Sequence, residues 1–445
     1  MKKKIFLAVF LCCGMFAAMA QTAADSLAIV SADWQTEPLQ KGMLYKKAVF
    51  SSLYGVPQEV SIFEISPKRY RFDVLVHNPK EETSIAARHA GAVAAINGSY
   101  FDMKAGNSVC YLRKDGVVID TTSTGVLATV SNGAVLIKKG RLELIPWSKQ
   151  EEKACTLKKG TVLASGPLML KDGQVCDLSG TNRNFVDTKH PRSAVALTRE
   201  GKILLIVVDG RRKGKAEGIN IPELAHMIRI LGGEDALNLD GGGSSTMVVQ
   251  TVDDAAPQLQ NTPSDGAQRK VIASVGVFQT APKGEIKEIG ITTVNQHTQP
   301  GKTAEFTVYG LDEYKNRIYI APEDVTFEVV GVEGTWDGYL FQPTTTGEYS
   351  VVATYGDGLT AVANATCYPT ARLKATYPDA SIKNVGGTTN IYVTAYDTEG
   401  FGRAVTNDVT YTVANPAIGT MNGNTFTAKA KGSTYVKCSW AGQDT

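Results

Sequence analysis

Three carboxylates between residues 209 and 240 stand where chemistry could use them: Asp209, Glu223 and Asp240. Asp209 ends the apolar run "KILLIVVD" and is followed by Gly210. Asp240 ends "ALNLD", after Asn238, and is followed by Gly241, Gly242 and Gly243, then by the hydroxyls of Ser244, Ser245 and Thr246. Ordering three glycines in a row costs entropy, so they belong where side chains would clash or a positive φ is required. A carboxylate held at a strand end can serve as base, acid or nucleophile. The glycine N–H groups beyond it can converge on an anion. A pair of plain Asp-Gly turns is the competing reading. No Gly-Lys-Ser/Thr follows, so this is not an ATP-type phosphate loop.

The elements that must position these acids are legible in the same stretch. Lys202–Val208 reads as a buried strand and Ala236–Asp240 as a second. Between them Asn220 can cap a helix whose Glu223, three residues on, completes a capping box, with Ile221, Leu224, Ala225, Ile228 and Leu231 on one face. Glu223 therefore has two readings, structural cap and acid. If the two strands run parallel in one sheet, both carboxyl ends, and with them Asp209 and Asp240, face one crevice.

Arg192, Arg211 and Arg269 are the cations suited to holding a phosphate through paired hydrogen bonds. Each is also an ordinary candidate for a solvated surface arginine, and beyond Arg211 the run "RRKGK" reads as a solvated loop. Asn97 and Gly98 read either as a turn or as a ligand contact, and Tyr100 and Phe101 as core or as apolar faces for a ring. The five histidines show no HExxH or paired spacing, so zinc is unsupported. His190, just before Pro191-Arg192, stands near the candidate cations. No cofactor is called for, and a Ca²⁺ bound by Asp side chains and carbonyls stays open.

In order along residues 45 to 278, "AAINGSYFD", "SGPLMLKDG", "PRSAVAL", "VVDGRR", "ELAHMIRILGGEDALNLDGGGSSTM" and "NTPSDGAQRKV" resemble the phosphodiester glycosidase family. The resemblance implies hydrolysis of a sugar-1-phosphodiester of the GlcNAc-1-phosphodiester type, small or polymer-linked, releasing the sugar and a phosphomonoester. It implies a site built from Asp240, Glu223 and Asp209 as the acids. Contacts to substrate would come from Asn97, Gly98, Tyr100, Arg192, Gly210, Arg211, Asn238, Gly241, Gly242, Gly243, Ser244, Ser245, Thr246, Asp265 and Arg269. Two other readings stand beside it: a phosphodiesterase that cuts P–O with the same groups, and a non-catalytic envelope glycan-binding protein.

Around this region the chain organises into three domains. At 43% hydrophobic and 20% charged residues, its 445 residues are those of a folded globular protein. "MKKKIFLAVFLCCGMFAAMA" has the basic start, apolar middle and small-residue end of a cleaved signal peptide, so residues 1–20 read as a leader and the location as periplasm or cell surface. Removing Lys2, Lys3 and Lys4 leaves 43 Lys and Arg against 44 Asp and Glu, which argues against a nucleic-acid binder, and no later segment reads as a transmembrane span. Five cysteines remain, an odd number with wide spacing, as compatible with free thiols as with bridges.

The expected fold class is a mixed α/β (α+β) catalytic domain over 21–281, opening on β-like alternation, followed by two all-β Ig-like sandwiches over 282–369 and 370–445. "EFTVYGLDEYKNRI" (305–318) lines up with "NIYVTAYDTEGFGRAV" (390–405), and "GEYSVVATYGDGLT" (347–360) with "GSTYVKCSWAGQDT" (432–445), at one offset of 85 residues. The second copy stops where the first continues into another strand, so it is expected to lack its last strand. Cell-envelope glycan is the expected partner of these modules.

Overall fold

The computed structural model describes residues 23–445 apart from 253, 255, 283, 294, 295 and 377; the expected leader lies outside the described residues. Two compact units are present, Met1–Gly284 with Tyr314–Asn316, and Glu285–Glu313 with Arg317–Thr445. Strand makes up 48% and helix 11%, so the protein is mostly β, and the first unit combines several sheets with a few helices laid on them.

Its largest sheet has eight strands in the order Gln35–Gln40, Met43–Leu53, Val56–Ile65, Ile203–Val208, Arg192–Thr198, Gly233–Asn238, Leu168–Lys171 and Gln174–Val175. Every neighbouring pair in it is antiparallel. The strands leading to Asp209 and Asp240 are thus parallel to each other but not adjacent, because Arg192–Thr198 runs the opposite way between them. Their carboxyl ends still share one edge, where the central strand begins at Pro191-Arg192.

Ile203–Val208 is apolar throughout because both of its faces are buried. Ile203, Leu205 and Val207 join one core, while Leu204, Ile206 and Val208 join the other. The second core is closed by helix Ile221–Ile230, which carries the expected Asn220–Glu223 capping box and buries Ile221, Leu224, Ala225, Met227 and Ile228. The first core is shared with a five-stranded sheet ordered Gln258–Leu259, Met247–Val249, Ala94–Asn97, Val271–Gln279 and Tyr70–Glu81. A second five-stranded sheet is ordered Val117–Asp120, Leu112–Lys114, Thr161–Ser165, Gly133–Lys138 and Arg141–Pro146. The two Asp-Gly hairpins form as expected, with Asp115-Gly116 and Asp172-Gly173 all at positive φ.

In the second unit the 85-residue repeat falls on matching strands. Ala304–Leu311 corresponds to Tyr392–Asp397 and Gly347–Tyr355 to Val436–Trp440. Gly347–Tyr355 pairs with the nine-residue Leu359–Cys367, whereas Val436–Trp440 pairs with the two-residue Gln443–Asp444. Cys110, Cys155, Cys176, Cys367 and Cys438 are free thiols. No helix among the described residues is long and apolar enough to cross a membrane.

Candidate functional site

Why glycine follows each aspartate becomes clear at Pro191, the entry to the central strand. A Cβ on Gly210 would stand 2.7 Å from the Pro191 nitrogen and 2.8 Å from the Gly218 Cα; one on Gly241 would stand 2.6 Å from the Pro191 carbonyl oxygen. The Gly242 N–H donates to that same carbonyl at 2.8 Å. Two strand ends converge on one peptide, and only hydrogen side chains let them approach so closely. Gly242 takes φ +61°, and a Cβ there would lie 3.0 Å from a guanidinium nitrogen of Arg211. At Gly243 a Cβ would collide with the Arg269 guanidinium and the Asp265 carboxylate.

The glycine N–H groups are largely committed inside the protein. Gly241 N–H donates to the Asp240 carboxylate (2.9 Å), Gly242 N–H to Pro191, Ser244 N–H to the Gly241 carbonyl (3.2 Å), Ser245 N–H to the Gly242 carbonyl (3.2 Å) and Thr246 N–H to Asn97 Oδ1 (3.1 Å). Gly241 and Gly242 thus direct their N–H groups to the protein itself. The cations beside the loop are guanidiniums.

Of these, Arg211 is exposed, lies against Gly242 and holds a left-handed backbone at φ 60°, a strained conformation for a residue with a Cβ. Arg269 donates through Nε and Nη2 to one oxygen of Asp265 at 3.0 and 2.6 Å, and through Nη1 to the Ser244 hydroxyl at 3.3 Å. Asp265 thereby aims Arg269 across the loop. Arg192 behaves differently. It is 2% exposed, stacks over the Phe185 ring, and donates to the carbonyls of Ile219, Phe185 and Thr188. Burial pushes its pKa down to about 10, with Tyr100 and Asp240 acting the other way. The expected phosphate ligand at Arg192 is thus a buried brace for the loop before the central strand.

Asp240 is partly exposed, and burial pushes its carboxyl up to about 6, against the Ser244 hydroxyl, the Gly241 N–H, Arg269 and Arg192, which favour the charged form. Its backbone is gripped on both sides. The Asp240 N–H donates to the Gly98 carbonyl at 3.0 Å, and Asn97 Nδ2 donates to the Asp240 carbonyl at 2.7 Å. Asn97 Oδ1 accepts from Ser193 Oγ (2.7 Å) and the Thr246 N–H. A Cβ on Gly98 would meet the Ala273 main chain at 2.7 Å.

Asn238 donates to the Tyr100 hydroxyl (2.8 Å) and to the carbonyls of Gly166 (2.9 Å) and Leu239 (2.7 Å), and the Tyr100 hydroxyl in turn donates to Gly166. Asn97, Tyr100 and Asn238 are fully enclosed. Read as substrate contacts in the sequence, they form the bracket that carries Asp240.

The other two acids are occupied. Asp209 is 2% exposed and accepts from Asn261 Nδ2 (2.9 Å), the Thr262 N–H (2.9 Å) and Arg212 (3.3 Å); burial raises its pKa. Asn261 also donates to the Ser245 carbonyl and accepts the Met247 N–H, so Asp209 anchors the far end of the glycine loop. Arg212 bridges Asp209 to Glu59, a partner from the strand Val56–Ile65, which corrects the reading of 212 as solvated loop. Glu223 accepts the Asn220 N–H at 3.1 Å and pairs with Lys189 at 2.5 Å, so of its two readings the structure fills the capping one. Ser193, Arg212 and Asn261 lie within the resembling motifs but are not singled out by them, and Glu59 lies outside them, since each matters only through a partner distant in sequence.

Burial, with Arg192 and Arg211 nearby, holds the His190 imidazole below its ordinary value and favours the neutral ring. No cluster of three or more His, Cys, Asp or Glu that could hold a metal ion occurs among the described residues. The buried hydroxyls of Ser245 and Thr246 and Asn238 Oδ1 have no protein partner.

A sequence profile of the family described as phosphodiester glycosidase matches residues 90–278. Over 201 residues the chain is 28% identical to the mouse N-acetylglucosamine-1-phosphodiester alpha-N-acetylglucosaminidase, covering 42% of this chain and 36% of the mouse protein. It is 27% identical over 202 residues to the SPbeta prophage-derived uncharacterized protein YomE of Bacillus subtilis (strain 168), covering 44% of this chain and 30% of that one. The chain thus spans about a third of the length of these relatives. Among solved structures, the zebrafish N-acetylglucosamine-1-phosphodiester alpha-N-acetylglucosaminidase catalytic domain aligns with a TM-score of 0.42 at 21% identity, covering 52% of this chain and 81% of that one. The matched segment contains Asp209, Asp240, the glycine loop, Arg211 and Arg269, while Glu59 lies before it. The chain therefore carries, at residues 90–278, a domain of the phosphodiester glycosidase family.

Proposed function

We propose that this domain hydrolyses a sugar-1-phosphodiester of the GlcNAc-1-phosphodiester type at the anomeric C–O bond. The carrying observation is the pairing of one carboxyl poised at about 6, Asp240, with two guanidiniums, Arg211 and Arg269, that lie against the consecutive glycines following it. In this reading the guanidiniums hold the non-bridging phosphate oxygens. Asp240 acts at the anomeric carbon, either attacking it or taking a proton from the water that does. The C1–O bond breaks with its electrons going to the phosphate oxygen, and water supplies the new hydroxyl on the sugar. A phosphomonoester is a good leaving group, so one positioned acid suffices where ordinary glycosides commonly use two. Asp209 and Glu223 serve as positioning groups.

The leader-like first twenty residues support export to the periplasm or cell surface. There the Ig-like modules would contact envelope glycan. The test is turnover of an aryl phosphodiester of GlcNAc in ¹⁸O water. Label in the sugar supports the reading, label in the phosphate replaces it with P–O cleavage, and no turnover favours a glycan-binding role. The anomer first released distinguishes attack by Asp240 from activation of water.

A further inference from the structure

Away from the acids, the strand Val117–Asp120 is the edge of its sheet, paired to Leu112–Lys114 and, among the described residues, to no strand on its other side. Val117, Val118 and Ile119 are 66%, 44% and 43% exposed, and Val126, just beyond, is 58% exposed. Successive residues of a strand point to opposite faces, so this edge offers apolar groups to solvent on both. Edge strands are usually blunted by charge or cover, and an uncovered apolar one marks an interaction surface.

Lysines stand around it in excess over the acids Asp115, Asp120, Glu151 and Glu152, the last of which pairs with Lys149. Gly116, in the turn that starts the strand, packs against the main chain of Lys158, and Lys158 and Lys159 are exposed. The Lys149 ammonium donates to the Thr122 carbonyl just after the strand, and Lys153 is exposed on the same short helix. Residues 98–162 carry ten Lys and Arg against six Asp and Glu, in a chain whose charges otherwise nearly balance.

Apolar side chains flanked by lysines match the boundary of an anionic bilayer, where the former enter the headgroup layer and the latter meet phosphates. A strand added to this edge, from a peptide or a second copy, would use chiefly the main-chain groups, whereas a leaflet engages the apolar side chains and the lysines together. We propose that the Val117–Asp120 edge, with Lys149, Lys153, Lys158 and Lys159, is a docking surface for a phospholipid leaflet that contains anionic headgroups. The inference does not rest on the reaction proposed above.

The test is flotation of the chain from Gln21 to Thr445 with vesicles of phosphatidylcholine, with and without phosphatidylglycerol, at low and high salt. Binding to the phosphatidylglycerol vesicles, weakened by salt, is expected. The double variant Val117→Ser/Ile119→Ser should bind about tenfold less at either salt level. Lys158→Glu/Lys159→Glu should bind at least about tenfold less at low salt, with the gap closing at high salt. Val126→Ser, outside the sheet, serves if the double variant melts early, and its loss is expected to be smaller but measurable. No preference for anionic vesicles by the parent, or parental binding by folded variants, overturns the proposal. So does a dimer that the apolar substitutions abolish while vesicle binding is absent, which would assign the edge to a second copy.

Discussion

Asn97 and Asp240, 143 residues apart, are joined at 2.7 Å from the Asn97 amide nitrogen to the Asp240 main-chain carbonyl, while the neighbouring Gly98 carbonyl takes the Asp240 N–H. The acid is therefore positioned through its own backbone, while its carboxylate meets the Gly241 N–H and the Ser244 hydroxyl. Asn97→Ala removes a donor to Asp240 and an acceptor for Ser193 and Thr246 inside the fold. A loss of about 2–3 kcal/mol in stability is expected, since buried groups are left unpaired. In whatever fraction stays folded, kcat should fall more than KM rises. An unchanged kcat in folded Asn97→Ala would separate the bracket from catalysis.

Asp240→Asn should lower turnover at least about 10²-fold while leaving the fold intact. Its effect on stability depends on pH. The folded carboxyl, at about 6, lies above its ordinary 3.8, so its contribution is complete below about pH 3.8 and is lost as pH rises through 6. Asparagine carries no charge to desolvate. The variant should match the parent near pH 4 and exceed it near pH 8 by up to about 3 kcal/mol. Melting curves of both proteins across that range provide the check.

Under the proposed reaction the same carboxyl is expected to set the acid limb of the rate profile. Because Asp240 must be ionised to attack or to accept a proton, kcat/KM should rise with pH through an apparent pKa near 6. Arg269→Ala removes a cation that favours the charged form and should move that limb upward. A pH-independent rate from 4 to 8 on the GlcNAc aryl phosphodiester would contradict the assignment.

The three arginines should divide into two classes. Arg211→Ala and Arg269→Ala are expected chiefly to raise KM, since a phosphate contact already made in the ground state is lost. Arg192→Ala instead removes a buried guanidinium that donates to the carbonyls of Ile219, Phe185 and Thr188, and should cost about 2–3 kcal/mol in stability. Titration with the substrate alongside thermal melts of all three separates the classes.

Gly210→Ala tests the convergence on Pro191. The added methyl would meet two main-chain atoms that cannot rotate away, so a loss of about 1–3 kcal/mol is expected without any change in charge. A parental melting temperature would show that the strand ends have room to part.

Local chemistry made much of this legible in the sequence. The apolar run Ile203–Val208, the capped helix Ile221–Ile230, both Asp-Gly hairpins and the 85-residue repeat follow from periodicity, capping and turn preference, which neighbours in the chain decide. The motif order likewise singled out Asp240, its glycines and the arginines. What the fold alone decided is which of these groups stay available. Arg192, Asn97, Tyr100 and Asn238 have the same side chains in sequence as a ligand-binding set would, but burial directs their donors to carbonyls of distant loops. The strand inserted between the two aspartate-bearing strands, and the Glu59–Arg212–Asp209–Asn261 chain, join residues up to about two hundred positions apart. Pairing over such separations is set by the packing of whole sheets, which no short window of residues encodes.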